Sequence, residues 1–236
     1  MPAWAAIDTV LFDMDGTLLD LHFDSHLWKT HLPRRYAEVH GLDLEAARAH
    51  IAPRIRSQEG TLNWYCLDYW TREFGIDIAA LERELSHLIG PRPHAIEFLA
   101  ALRDRGLRLL LTTNAHRRSL ALKLSCTGIG GYFDRVVSAH DFGHPKEDPA
   151  FWRRLGDVEP YDPGATLLID DNPGVLRSAR RHGIRHLLAV ALPDSRGARR
   201  EHPDFHAVES FLDIMPGSAA GAASDAAVGQ VADGVV

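Results

Sequence analysis

Ile7-Asp8-Thr9-Val10-Leu11-Phe12-Asp13-Met14-Asp15-Gly16-Thr17 is the stretch that decides the fold. An apolar run rich in β-formers ends abruptly in two acidic residues and a glycine, the pattern of a buried strand that delivers carboxylates into a loop. The pattern returns downstream. Residues 107–111 end in Thr112-Thr113-Asn114, Val136-Val137 in Ser138, residues 165–169 in Asp170-Asp171, and residues 186–190 lead to Pro193-Asp194. Helical patterns over 95–104, 116–126, 149–155 and 173–182 fill the intervals, several stopped by Gly106, Gly128 or Gly183. Strand–helix alternation at this spacing predicts an α/β fold with a doubly wound parallel sheet, whose ligand site lies beyond the carboxyl ends of the strands. Each polar cluster falls at such an end.

Residues 20–91 break the alternation. They contain no convincing strand and read as successive helices over 23–39, 44–57, 62–74 and 78–88, with Pro33 and Pro53 expected to kink or divide the first two. The expected organisation is therefore a core of residues 1–19 and 92–215, a helical cap over 20–91, and a disordered Ala/Gly-rich tail over 216–236 that has no aromatic or basic residue.

The 236 residues include 26 Lys and Arg against 32 Asp and Glu, a net charge of −6. That balance argues against a broad electrostatic grip on nucleic acid. A small anionic substrate remains open if a metal, a lysine or a helix N-terminus supplies local positive charge. Cys66 and Cys126 stand far apart with no C-x-x-C pairing and read as reduced core thiols. No apolar run approaches a membrane span, and the first ten residues lack a basic n-region, so a cytoplasmic protein is expected.

Asp13 and Asp15 would point to opposite sides in a continuing strand, but a loop opened by Gly16 can aim both at one site. An aspartate can attack phosphorus to form an acyl phosphate if the negative charges of nucleophile and phosphate are neutralised. Asp170-Asp171 can complete a Mg²⁺ site with Asp13, because a hard cation takes oxygen ligands and keeps several waters. The adjacent pair would otherwise suffer mutual repulsion. Lys146 adds fixed positive charge, and the Thr113 hydroxyl with nearby backbone N–H groups can hold phosphate oxygens. Side chains alternate along a strand, so Thr112 and Thr113 cannot both face the site, and Thr113, beside Asn114, is the better placed.

These motifs, in this order, resemble the haloacid-dehalogenase-like (HAD) phosphohydrolase superfamily over residues 8–190, and the insertion resembles its helical C1-type cap. Leu18-Leu19-Asp20-Leu21-x-Phe23-Asp24, the ten residues from Thr61 through Asn63-Trp64-Tyr65-Cys66 to Asp68-Tyr69-Trp70, Thr113-Asn114-Ala115-His116, and Phe142-Gly143-x-Pro145-Lys146-Glu147-Asp148 are similar to its bacterial GMP/IMP nucleotidase members. Glu147 stands where the superfamily more often has proline, a departure shared with that subgroup. The resemblance implies Asp13 as nucleophile and Mg²⁺ ligand. It implies Asp15 as the acid that protonates the leaving 5′-oxygen and the base that then activates water, its backbone carbonyl completing the metal shell. Thr113, alone or with Asn114, and Lys146 would orient phosphate and nucleophile. Asp171 would bind Mg²⁺, with Asp170 directly or through water.

The cap is expected to choose the leaving group. Trp64, Tyr65 or Trp70 could stack on a purine, while Asn63, Asp68 or Asp24 reads its edge. The competing reading makes Trp64, Leu67 and Trp70, at helical spacing, the cap's own core. Among the 14 His, the pairs His22/His26 and His182/His186 lack the H-E-x-x-H form, and no Cys lies at zinc spacing, so neither is the primary metal site; His116 and His144 flank strand ends and could assist substrate binding.

The leading expectation is a Mg²⁺-dependent purine 5′-nucleotidase. The enzyme alternatives are a phosphatase for sugar phosphates or phosphoglycolate, or a phosphomutase; dehalogenation fits less well, since it would leave Asp15 no oxygen to protonate. The non-enzyme alternatives are a signalling receiver domain and a binding protein that has lost catalysis. Receivers place their acidic pair on the first strand, accept phosphate on a later one and lack a helical insertion of about 70 residues; a dead homologue would be expected to lack one of Asp13, Asp15, Lys146 or Asp171.

Overall fold

The computed structural model describes residues 2–217, so the tail expectation falls outside the described residues except at Pro216 and Gly217. Six parallel strands form one sheet in the order β3-β2-β1-β4-β5-β6: β1 Thr9–Phe12, β2 Arg108–Thr113, β3 Arg135–Ser138, β4 Thr166–Asp170, β5 His186–Val190 and the short β6 Ala207–Val208. Helices α6 Ala95–Asp104, α7 Arg117–Thr127, α8 Pro149–Val158 and α9 Pro173–His182 make the crossovers.

Alternation along the central strands explains their unbroken hydrophobicity. Val10 and Phe12 of β1, with Leu109, Leu111, Leu167 and Ile169, pack against Phe98, Leu99 and Leu102 of α6. Leu11, Leu110 and Leu168 point the other way, onto Phe151, Trp152 and Leu155 of α8 and Val175, Leu176 and Ala179 of α9. A strand buried on both faces has no position for a polar side chain until it leaves the sheet. In β1 that happens at Asp13. Phe12 is level with Leu111 on one neighbour and Ile169 on the other, and the Asp13 N–H donates to the Ile169 carbonyl at 3.0 Å. Asp13 therefore emerges between Thr112 and Asp170, where the chain order turns from β1–β2–β3 on one side to β4–β5–β6 on the other.

The insertion is helical throughout: α1 His22–His26, a π-helical turn Leu27–His31, α2 Leu32–His40, α3 Leu44–Ser57, a 3₁₀ turn Leu62–Tyr65, α4 Leu67–Phe74 and α5 Ile78–Glu84. It has a core of its own, in which Phe23, Leu27, Leu32, Ile51, Leu67, Trp70, Phe74 and Leu81 are buried. Two antiparallel connectors join it to the sheet, with Asp20 N–H donating to the Gly90 carbonyl at 3.0 Å and Arg92 N–H to the Leu18 carbonyl at 2.8 Å.

Several boundaries differ from expectation. Pro33 does not divide its helix. The π turn precedes it, widening the backbone where the proline ring would otherwise meet the Lys29 carbonyl. Pro53 lies inside an undivided α3. The stretch 62–74 breaks at Cys66, whose sulfur caps α4 by accepting the Tyr69 N–H at 3.4 Å. Residues 78–88 split at Leu85, and β6 follows a loop with no periodic signal. No helix among the described residues is long and apolar enough to cross a membrane.

Candidate active site

Gly16 makes the turn after β1 possible. Its φ is +82°, and a Cβ there would lie 2.8 Å from the Asp171 carboxylate, so a side chain would be both strained and obstructed. The turn brings Asp13 and Asp15 onto the mouth of β4, where Asp170 and Asp171 emerge. Lys146 Nζ lies 2.6 Å from Asp13 Oδ1, 2.7 Å from Asp170 Oδ2 and 3.0 Å from the Thr112 carbonyl. Burial works against the lysine's charge, but Asp13 and Asp170 outweigh it and hold the ammonium well above its ordinary pKa. The carboxyls move the other way. Burial pushes Asp13 up to about 7 against the pull of Lys146, Asp171 up to about 7 with Asp13 adding repulsion, and Asp170 up to about 6.

Three buried carboxylates facing one buried lysine carry more negative charge than the protein neutralises. Carboxylate oxygens of Asp13, Asp170 and Asp171 lie within 4.8 Å of one another, an all-oxygen set that fits a hard divalent cation. Asp170 uses both oxygens already, Oδ2 on Lys146 and Oδ1 on the Asn172 N–H at 2.9 Å. Asp171 Oδ2 accepts from Arg200 at 2.8 Å, leaving Oδ1 open.

Thr113 lines the pocket, its Oγ1 accepting the Ala115 N–H at 3.0 Å and keeping its hydroxyl proton for an anion. Thr112 turns into the sheet and donates to the Phe12 carbonyl at 3.3 Å. Asn114 has a structural task as well: Oδ1 accepts the Lys146 N–H and Nδ2 donates to Glu147 Oε2, both at 2.9 Å. Glu147 in turn accepts from Asn172 Nδ2 at 2.9 Å and the Tyr65 hydroxyl at 2.8 Å. The residue that replaces the superfamily's usual proline thus binds the loops after β2 and β4 to the cap, and fixes the neighbour that presents Lys146.

Lys123 escaped the sequence reading. Fully buried on α7, it reaches Asp15 Oδ1 and Asp24 Oδ1, each at 2.8 Å, while Ser119 one turn earlier donates to Glu82 Oε1 at 2.7 Å. Burial pushes Asp24 up to about 7 although Lys123 pulls it down. The available signal was spacing, since Ser119 and Lys123 share the inward face of α7 with Leu120. Arg200, in a loop without periodicity, offered none.

A cavity of about 780 Å³ extends from these groups into the cap, lined there by Asp24, Trp28, Arg48, Arg56, Trp64 and Tyr65. Trp70 forms part of its wall from within the cap core, stacked on Phe74 at 5.2 Å with its indole N–H on the Trp64 carbonyl. Asn63 and Asp68, named as base readers, do not line the cavity. Asn63 donates to Gln58, and Asp68 is a half-exposed partner of His116 and Arg118. His116 lines the cavity and caps α7. His144 pairs with Asp148 at 2.9 Å, outside the cavity lining, and neither i, i+4 histidine pair gathers a third ligand among the described residues.

A family model for haloacid dehalogenase-like hydrolases matches residues 7–183. The chain belongs to that family. GMP/IMP nucleotidase YrfG of Escherichia coli K12 is 38% identical to it over 91% of this chain and 96% of that protein. Pyrophosphatase PpaX of Oceanobacillus iheyensis is 25% identical over 89% of this chain and 96% of its own length. A HAD phosphatase of Thermococcus onnurineus superposes with a TM-score of 0.76 at 21% identity, covering 88% of this chain and 96% of that one, which is a likeness of fold. Membership of this hydrolase family sets the receiver reading aside.

Proposed function

We propose that the chain is a Mg²⁺-dependent 5′-nucleotidase that hydrolyses GMP or IMP to nucleoside and phosphate. The observation that carries the reading is one continuous cavity with Asp13, Asp15, Thr113 and Lys146 at its floor and the indoles of Trp28 and Trp64 in its cap wall. Its size suits a ligand with a phosphate and a bicyclic base. The 38% identity to a protein named as a GMP/IMP nucleotidase, extending through the cap, supports the same substrate class.

Asp13, Asp171 and the Asp15 carbonyl would hold Mg²⁺, with Asp170 behind them; when bound, the ion neutralises phosphate and carboxylate charge so that two anions can meet. The Asp13 carboxylate attacks phosphorus, forming an aspartyl phosphate as the P–O5′ bond breaks. Asp15 gives its proton to the leaving oxygen, and Lys123, 2.8 Å away, stabilises the carboxylate that remains. Asp15 then takes a proton from water, whose oxygen attacks phosphorus and releases phosphate from Asp13. Lys146 keeps Asp13 aimed through both stages, and the Thr113 hydroxyl donates to a phosphate oxygen. In the cap Trp64 offers a ring face to the base and Asp24 an acceptor to its edge.

Phosphate release from a panel of nucleoside monophosphates, sugar phosphates and phosphoglycolate, with Mg²⁺ and with EDTA, tests this. Preference for GMP or IMP, lost in EDTA, is expected. Faster turnover of a sugar phosphate or phosphoglycolate would move the reading to the phosphatase and phosphomutase alternatives, which share every residue of the floor.

A further inference from the structure

A second group of ligand atoms, with different chemistry, meets around His116, which lines the cavity. Cys66 lies in the cap between the 3₁₀ turn and α4, His116 follows β2, and His140 follows β3. Their sulfur and ring-nitrogen atoms come within 4.8 Å of one another although the residues are 24 to 74 positions apart. The His140 and His116 rings meet edge to face at 5.0 Å. His140 Nε2 is buried with no hydrogen-bond partner, a cost that a native site ordinarily avoids unless a ligand satisfies the atom. Asp68 Oδ2 lies 3.5 Å from His116 Nε2. An Nε2–H directed at that carboxylate leaves the Nδ1 lone pair as the donor; it accepts the Arg118 N–H at 3.3 Å, a long cap bond that it exchanges for the ion, and the Asp68 contact then orients the metal-bound imidazole.

We propose that Cys66, His116 and His140 form a binding site for a zinc-class divalent ion, separate from the all-oxygen site at Asp13, Asp170 and Asp171. One sulfur and two nitrogens suit a borderline-soft ion and repel neither it nor each other, whereas Mg²⁺ prefers oxygen. Tetrahedral coordination sets donor separations of about 3.3–3.8 Å, which side-chain closure by about 1 Å provides. The Cys66 thiol gives its proton to solvent on binding, and water fills the fourth position. Because Cys66 belongs to the cap and both histidines to the sheet, an ion there ties the cap to the core beside the substrate cavity. The site is independent of which phosphate ester the enzyme hydrolyses.

The test is titration of the full chain with Co²⁺ in saturating Mg²⁺ under reducing conditions. One equivalent should develop a near-ultraviolet thiolate-to-cobalt band and strong tetrahedral visible bands, both abolished by one equivalent of Zn²⁺. Cys66→Ser keeps an acceptor for the Tyr69 N–H, so it should fold and lose the thiolate band; His140→Ala should lose the tetrahedral bands. Asp68→Ala should weaken Co²⁺ binding about 10–100-fold while keeping the band. An absent thiolate band, or one that survives Cys66→Ser in a folded protein, would overturn the proposal. Ions held only at the aspartates would give weak octahedral bands without sulfur character, and that outcome overturns it too.

Discussion

Lys146 and Lys123 are both buried, and each faces more than one carboxylate, but their removal should have different consequences. Lys146 lies between Asp13 and Asp170 at the reacting end, while Lys123 joins Asp15 to Asp24 across the boundary between sheet and cap. Removing one partner of a buried ion pair leaves uncompensated charge. Lys123→Met should therefore cost about 3–5 kcal/mol in urea unfolding as well as activity; an unchanged midpoint would mean that losing the lysine leaves no buried charge uncompensated. Asp13→Asn should do the reverse, lowering turnover by at least about 10³-fold with the fold intact, since the amide keeps the shape and loses the proposed nucleophile. Circular dichroism and phosphate release separate the two effects, and near-normal turnover would remove Asp13 from the nucleophile's role. At this scale the sequence was legible where a residue sits at a strand end. Asp13, Asp15, Thr113, Lys146, Asp170 and Asp171 all reach one cavity floor because parallel strands stop at a common edge. Lys123 was not legible in the same way, because a lysine on a helix is ordinarily solvated and only the partners on α1 and α5 show that this one is not.

Among the elements, the loop carrying Lys146 is held by side chains rather than by its own geometry. Glu147 accepts from Asn172 and Tyr65 on Oε1 and from Asn114 on Oε2, so each oxygen meets a donor. Glu147→Gln would turn an N–H₂ toward one of those donors. Flipping the Asn114 amide to relieve the clash would lose its acceptance of the Lys146 N–H. One misfit therefore propagates to Lys146, and if that lysine has the proposed role kcat should fall about tenfold or more with little change in KM, in line with about 1–3 kcal/mol for an unsatisfied buried group. A rise in KM alone would assign Glu147 to substrate binding. In the cap, Trp64→Ala should raise KM for GMP about tenfold, equivalent to ~1.4 kcal/mol, and leave a small aryl phosphate nearly unaffected; equal effects would make Trp64 cap packing. Secondary structure was most legible where apolar period and stop signals agree, as in α6 and α9. It was least legible where tertiary contacts decide, as at Cys66, where a thiol caps a new helix inside a continuous apolar pattern, and at β6, whose two residues are a strand only because β5 lies beside them.

For the whole molecule, the surplus of buried carboxylates makes metal binding and pH inseparable. Burial pushes Asp13 and Asp171 up to about 7 and Asp170 up to about 6, against an ordinary value of 3.8. Between about pH 4 and 7 the metal-free fold thus binds more protons at these sites than the unfolded chain does, and their contribution to stability falls as pH rises. Several imidazoles act in the opposite sense. Burial lowers His140 to about 4 and brings His116 below its ordinary value, so folding favours their neutral forms and stability falls as pH drops below about 6.5. The melting temperature alone mixes the two trends. The difference between Mg²⁺ and EDTA isolates the carboxylates, because an ion held there as proposed would bind their ionised form and stabilise the fold in proportion to its occupancy. The Mg²⁺-dependent stabilisation, read as a rise in Tm, should be small at pH 5, grow through pH 6 and 7 by up to ~1.4 kcal/mol of free energy per pH unit for each proton displaced, and level off by pH 8. Asp171→Asn should flatten the profile by removing one of the groups that must ionise. A Tm increment of equal size at pH 5 and pH 8 would mean that these aspartates are already ionised without the metal, and that Lys146 with Arg200 neutralises them unaided.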